Sequence, residues 1–254
     1  MIADLRAFEA AGAFGCAAIA VVTVQSTAGL RRVRTVDARL LAQQAEEVLR
    51  NQRVRAIKVG ALGTRANVRA TAELLARYAG VPVVVDTPMA PTRGRERLLL
   101  QDATQSLRDD LLRRATLVTA NAAEAGALLG CEVRTVAEAH DAARALVRLG
   151  ARAALVKGGH LTSAGSAGAV DVLALPGEVI EVRARRLAVD DVHGTGCALA
   201  SLIAGRLAAR DRTRRGRTVE RAELVGAIRW AKRVHHAALA RAADVGRGLR
   251  VLSL

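Results

Sequence analysis

The sequence predicts an α/β protein with a mainly parallel sheet and helices on both of its faces. Three observations lead there. Short apolar runs rich in Val and Ile alternate with polar–apolar segments of helical period. The alternation repeats up to Lys157, and repeated strand–helix–strand units build a parallel sheet. The chain is 254 residues long, 51% hydrophobic and 25% charged, enough to bury a full core.

The elements follow in order. The runs Ala17 to Val24, Val54 to Val59, Val81 to Val85, Ala115 to Thr119 and Ala153 to Val156 read as buried strands. Between them, Asp37 to Gln52, Arg65 to Tyr78, Leu98 to Arg114, Ala122 to Leu129 and Val136 to Leu149 read as helices. Their apolar residues recur three and four apart, as in Leu40, Leu41, Ala45 and Leu49. The pattern changes after Lys157. Gly158 to Gly168 is a Gly/Ser-rich loop. Ala169 to Ala174 and Val179 to Val182 read as an antiparallel hairpin about Pro176-Gly177. The glycine-rich turn His193 to Gly196 leads into a helix through Leu207, and a last helix spans Val219 to Ala242. With no repeat or linker, residues 1–254 read as one domain, with ligand loops at the carboxyl ends of the strands.

Composition narrows the function. Aromatics are 2% of the chain (Phe8, Phe14, Tyr78, Trp230), which argues against a stacking platform for single strands. The net charge is +15, yet only Lys58, Lys157 and Lys232 are lysines. The arginines are scattered, and the dense run Arg206 to Arg217 reads as a solvated connection. No specific nucleic-acid partner is expected; any DNA binding should be weak and salt-sensitive. Cys16, Cys131 and Cys197 have neither zinc nor C-x-x-C spacing, which suits a reducing cytoplasm. Ala17 to Val24 is too short to span a membrane and lacks the flanks of a signal peptide.

Four features can carry chemistry. His193-Gly194-Thr195-Gly196-Cys197 precedes an apolar helix. Two glycines let backbone N–H groups converge, and the helix start adds partial positive charge, which suits the charge on a transferring phosphoryl group. A thiol in that first turn can serve as acid or base; equally it can pack as a small hydrophobe. Asn121-x-x-Glu124 after a strand suits magnesium held through water and phosphate oxygens, or a helix capping box. Lys157-Gly158-Gly159-His160 puts a lysine at a strand end within reach of a phosphate, and Asp86 at another strand end can order metal or water. Asp4, with Gln25-Ser26-Thr27, offers polar side chains that can read a heteroaromatic ring.

Together these pieces resemble the hydroxymethylpyrimidine/phosphomethylpyrimidine kinases of thiamine biosynthesis, within the ribokinase-like superfamily. The matching stretches are ADLRAFEAAGAFGCAAIAVVTVQST (3–27), IKVGAL (57–62), VVVDTPM (83–89), TLVTANAAEAGALLG (116–130), ALVKGGH (154–160), HGTGCALASLIAG (193–205) and AIRWAKRVHHAAL (227–239). The resemblance implies a ribokinase-like fold and a magnesium-dependent transfer from ATP to the pyrimidine's hydroxymethyl group or to its monophosphate. Gly194, Thr195 and Gly196 would form the anion hole, with Cys197 as the base. Asn121, Glu124 and Asp86 would organise magnesium and nucleotide. Lys157 would meet the phosphates, and Asp4, Gln25 and Ala61 would line the pyrimidine site.

The sequence also departs from the family pattern. The family's first strand and glycine loop precede the ADL segment, whereas here Met1 stands almost directly before it. An upstream start is therefore expected, or else a sheet that has closed the gap. A pocket methionine of the family is Ala61 here, its T-P-N reads Thr119-Ala120-Asn121, and the lysine and serine of its lid-like loop are Thr92 and Arg93. The wider pocket at Ala61 keeps a pyridoxal-type kinase open as an alternative, and the short start keeps open a non-catalytic homologue that binds pyrimidine or nucleotide. The pattern leaves room for a homodimer.

Overall fold

The computed structural model describes residues 1–90, 98–159, 161, 168–187, 192–210 and 218–254. Thr92, Arg93, His160 and residues 211–217 of the arginine-rich run lie outside the described residues. Helix α1 (Ile2–Ala10) leads to an antiparallel hairpin, β1 (Val21–Ser26) and β2 (Gly29–Thr35). Next come α2 (Ala38–Asn51), β3 (Ile57–Val59), α3 (Arg65–Arg77), β4 (Val83–Asp86), α4 (Gln101–Ser106), β5 (Leu117–Asn121), α5 (Ala122–Leu129), α6 (Val136–Arg148) and β6 (Ala154–Lys157). The chain closes with β7 (Gly168–Leu175), β8 (Glu178–Arg185), β9 (Val192–His193), α7 (Thr195–Arg210), α8 (Arg221–Ala240) and β10 (Arg250–Val251).

Six of these strands form one sheet in the order β3-β4-β5-β6-β7-β8. The first four are parallel and the last two antiparallel, turning at Pro176-Gly177 as expected. Successive strand residues point to opposite faces. Val83, Val85, Val118, Ala120, Ala154 and Val156 therefore join one core, with α3, α5 and α6. Val84, Leu117 and Leu155 join the other, with α1, α7 and α8. Helices cover both faces, which is why these strands read as unbroken apolar runs. Local chemistry sets the helix starts. Asp37 accepts from the Arg39 and Leu40 amides at α2, and Thr64 accepts from Asn67 at α3. Thr135 and Glu138 form a reciprocal capping box at α6.

Three expectations need correction. The run Ala17 to Val24 is not a buried strand of the parallel sheet. Its ordered part is β1, which pairs with β2 and leaves Val22 and Val24 more than half exposed. β2 was hidden because Gly29–Thr35 carries three arginines and buries only Leu30. The parallel part of the sheet accordingly has four strands, with β3 at one edge. The expected helix Leu98 to Arg114 starts at Gln101 and changes pitch: after Ser106 it passes through a π-helical turn (Leu107–Leu111) and a 3-10 turn (Leu112–Arg114). Leu107, Leu111 and Leu112 are all buried, and the adjacent pair reaches the core because the wider turn shifts the register by about one residue. Arg206 is not simply solvated either, since its guanidinium lies 4.9 Å from the centre of the Trp230 ring. Among the described residues no helix is long and apolar enough to cross a membrane.

Candidate active site

Parallel register lines up the carboxyl ends of three strands. Asp86 of β4 sits opposite Thr119 of β5, and Asn121 opposite Lys157 of β6. Lys157 Nζ donates to Asp86 Oδ1 at 3.1 Å and lies 3.8 Å from Glu124 Oε2. Thr119 Oγ1 donates to the same Asp86 oxygen at 2.9 Å. Asp86 is 2% exposed and Lys157 13%. Burial opposes ionisation of Asp86, but the charges of Lys157 and Lys58 outweigh it and hold its carboxyl below the ordinary range. Burial likewise opposes charging of Lys157, and Asp86 with Glu124 keeps it an ammonium. Glu124 goes the other way: burial, aided by the Asp86 charge, outweighs Lys157 and raises it.

Asn121 and Glu124 form the full capping box, each side chain bonded to the other's backbone N–H at 2.8 Å. The helix-start reading of N-x-x-E is therefore correct in itself. It does not use up the carboxylate. The described hydrogen bonds of Glu124, including one from Thr87 Oγ1, go to Oε2. Asp86 and Glu124 together set two carboxylates against one ammonium. That donor chemistry fits a divalent cation held partly by phosphate oxygens and water. Among the described residues no group of three or more His, Cys, Asp or Glu could cage a metal by itself.

The candidate anion turn is tighter than expected. Gly194 takes the left-handed conformation, with φ +81, and α7 already begins at Thr195. Gly196 is thus helical, and a Cβ there would stand 3.2 Å from Lys157 Nζ, so a side chain at this position would press on the lysine tip. The lysine ammonium thus stands beside the turn. Cys197 follows in the first helical turn. A helix start favours a thiolate, but the net effect on Cys197 is the opposite. Burial pushes the thiol up to about 11, against the lowering pull of Lys58 and Lys157.

A second buried pair stands beside Cys197. Lys58 Nζ, at the end of β3, donates to Asp4 Oδ1 of α1 at 2.9 Å. Ser201, one turn beyond Cys197, donates to the same oxygen at 2.6 Å, and the Met1 ammonium is 2.9 Å from Oδ2. Burial alone would raise Asp4, but these partners bring it down to about 2. Lys58 remains charged well above neutrality. Burial works against it, and Cys197, Asp4 and Asp86 outweigh burial. Sequence reasoning quoted Lys58 within a motif and gave it no role. Its signal was available: it is one of three lysines in a chain rich in arginine. Ser201, Thr87 and Thr119 carried no such signal.

All the site residues expected from sequence line one cavity of about 2030 Å³. It exceeds the roughly 300–1,000 Å³ usual for small ligands, because it runs on past the polar end, where Val22, Leu49 and Ile57 line it. Gln25 is exposed at an irregularity of β1, and Ala61 lies just beyond β3; both belong to the cavity wall rather than to the charged cluster.

The family model described as phosphomethylpyrimidine kinase matches residues 1–252. The chain belongs to the phosphomethylpyrimidine kinase family. It is 35% identical to the hydroxymethylpyrimidine/phosphomethylpyrimidine kinase of Rhizobium meliloti (strain 1021), over 97% of this chain and 88% of that one. The corresponding kinase of Mycobacterium bovis is 39% identical, over 81% of this chain and 74% of its own. Among solved structures, phosphomethylpyrimidine kinase from Clostridium difficile 630 matches with a TM-score of 0.74 and 26% identity, covering 93% of this chain and 91% of that chain. A Bacillus subtilis pyridoxal kinase in an ADP complex has the same fold, with a TM-score of 0.82 and 24% identity over 98% of this chain and 89% of its own. The protein is a phosphotransferase of this kinase family with the ribokinase-like architecture, and the lysine–carboxylate cluster and anion turn are its candidate phosphoryl-transfer centre.

Proposed function

We propose that this kinase transfers the γ-phosphoryl group of ATP to the hydroxymethyl group of 4-amino-5-hydroxymethyl-2-methylpyrimidine, to its monophosphate, or to both, within thiamine biosynthesis. The observation that carries the reading is the position of Lys157 between the two halves of the centre: bonded to carboxylates on one side and beside the Gly194–Cys197 turn on the other. Phosphoryl transfer needs positioning and charge stabilisation more than covalent chemistry. Lys157 and the amides of the turn face the transferring group. The acceptor oxygen bonds phosphorus as the bond from phosphorus to the ADP oxygen breaks. When the hydroxymethyl group is the acceptor, its proton goes to the thiolate form of Cys197 Sγ; a phosphate acceptor is already ionised and gives up no proton. A thiolate whose conjugate acid lies at about 11 is a strong base, but only a small fraction is ionised at neutral pH.

Glu124, Asn121 and Asp86 would hold magnesium through water and phosphate oxygens. When bound, the ion supplies neutralisation of the phosphate charge. Asp4, Gln25 and Ala61 would line the pyrimidine end of the cavity, with Asp4 acting together with Lys58. Ala61 favours a second reading, a pyridoxal-type kinase, because a small side chain there leaves room for a larger ring. An ATP-coupled assay with the hydroxymethylpyrimidine, its monophosphate and pyridoxal tests the proposal. Turnover of either pyrimidine well above pyridoxal supports it, and preference for pyridoxal overturns it.

A further inference from the structure

Helix α8 reaches both loops of the candidate phosphoryl-transfer centre along the wall of the same cavity, which Lys232, His235 and Asp171 also line. Lys232 Nζ pairs with Asp171 Oδ2 of β7, and the other oxygen, Oδ1, accepts from the Gly158 amide at 2.9 Å. Asp171 is 4% exposed at its side chain and Lys232 14%. Gly158 is the residue after Lys157, and its position is tightly fixed: a Cβ there would stand 1.7 Å from the Val170 carbonyl oxygen. One helical turn after Lys232, His235 Nε2 lies 2.9 Å from the Thr195 carbonyl oxygen. A carbonyl only accepts, so Nε2 carries the proton and donates. Two side chains three residues apart on one helix thus hold the Lys157–Gly158 segment and the start of the anion turn.

We infer that Lys232 and Asp171, with His235 as the second anchor, are positioning residues for phosphoryl transfer: α8 is a brace that fixes Lys157 against the Gly194–Cys197 turn. The inference rests on the reading of Lys157 given above. The physical need is plain. Lys157 is a flexible point charge drawn toward two carboxylates, and a displacement of the order of 1 Å at such a centre can cost about a hundredfold in rate. Holding the peptide bond beside it, rather than the ammonium, leaves the charge free to meet phosphate. Neither Lys232 nor Asp171 needs to touch substrate for this.

A kinetic double-mutant cycle tests it. Lys232→Met should lower kcat about ten- to a hundredfold, with the KM for ATP and for the pyrimidine little changed. Lys232→Arg should restore most of the rate, because a guanidinium can still pair with Asp171. In a Lys157→Ala background, Lys232→Met should cost almost nothing further, since the group it positions is gone. Losses that multiply in the two backgrounds overturn the brace alone, as does a loss expressed mainly in the KM for ATP, which would mean that Lys232 touches the nucleotide. Full activity of Lys157→Ala overturns the reading of Lys157, and the inference with it. If Lys232→Met does not fold, the same cycle with Asp171→Asn, which keeps the shape and the acceptor for Gly158 but breaks the ion pair, gives the same decision.

Discussion

Two buried lysines flank Cys197, and they are wired differently. Lys58 shares a single carboxylate, Asp4, with Ser201. Lys157 stands between two carboxylates and against the glycine turn. Of the two, Lys58 pulls harder on the Cys197 thiol, whereas Lys157 is bound up with Asp86 and Glu124. The difference divides the work. On the proposed reading Lys58 goes with the thiol and the pyrimidine end of the cavity, and Lys157 with the phosphate and magnesium end. Each lysine stays charged despite burial because its carboxylates were buried with it.

Changes to the centre can break or sharpen that division. The largest effect is expected between the lysines. Cys197→Ala should lower kcat by about a hundred- to ten-thousandfold if the thiol takes the acceptor's proton, with the melting temperature little changed. Near-normal turnover would reduce Cys197 to packing. Next come the lysines themselves. Lys157→Ala should cost roughly a hundredfold in kcat, and Lys58→Met roughly tenfold. Peptide-resolved alkylation at pH 9 should show the reverse order for the thiol, with Cys197 slowed more by Lys58→Met than by Lys157→Ala. Equal slowing would erase the distinction.

Glu124→Gln should have a smaller and more selective effect. It keeps the capping geometry but removes a charge, so the magnesium concentration needed for half-maximal rate should rise several-fold while the melting temperature holds. An unchanged magnesium titration would leave Glu124 a helix cap only. The smallest effect is on stability. Burial brings His235 down to about 4, so the folded state takes up its proton less readily than the unfolded chain. Stability from this group is full above the ordinary histidine value near 6.5 and is lost as pH falls toward 4. Thermal melts from pH 7 to 4 should therefore fall more steeply for the wild type than for His235→Gln. Parallel curves would show that His235 is not held neutral.

Most of the fold was legible because the parallel strands are buried on both faces and announce themselves as apolar runs. The hairpin was not. β1 has the Val-rich composition of a buried strand but exposes Val22 and Val24, and β2 is written in arginines, so the first reads as part of the parallel sheet and the second does not read as a strand at all. The site was legible where chemistry and backbone need coincide, as in Gly194 with its positive φ and in the Asn121–Glu124 pair. It was illegible where a role depends on distant partners. Lys58 with Asp4, and Lys232 with Asp171, are separated by 54 and 61 residues and meet only after folding. The state of the Cys197 thiol was illegible for a similar reason. Its helix-start position is visible in the sequence, but the burial that outweighs it is not.

Cys197 is proposed to accept the hydroxyl proton in the transfer step, and the pH dependence of kcat with the hydroxymethylpyrimidine as acceptor tests this most directly. A base with its conjugate acid at about 11 gains ionised fraction with each unit of pH below that value. The wild type should therefore quicken steadily from about pH 6.5 to 9.5, approaching tenfold per unit where chemistry limits the rate, and Cys197→Ala should be slow and nearly flat over the same range. A climb of the same slope in Cys197→Ala would contradict the account, because the titrating group would then lie elsewhere.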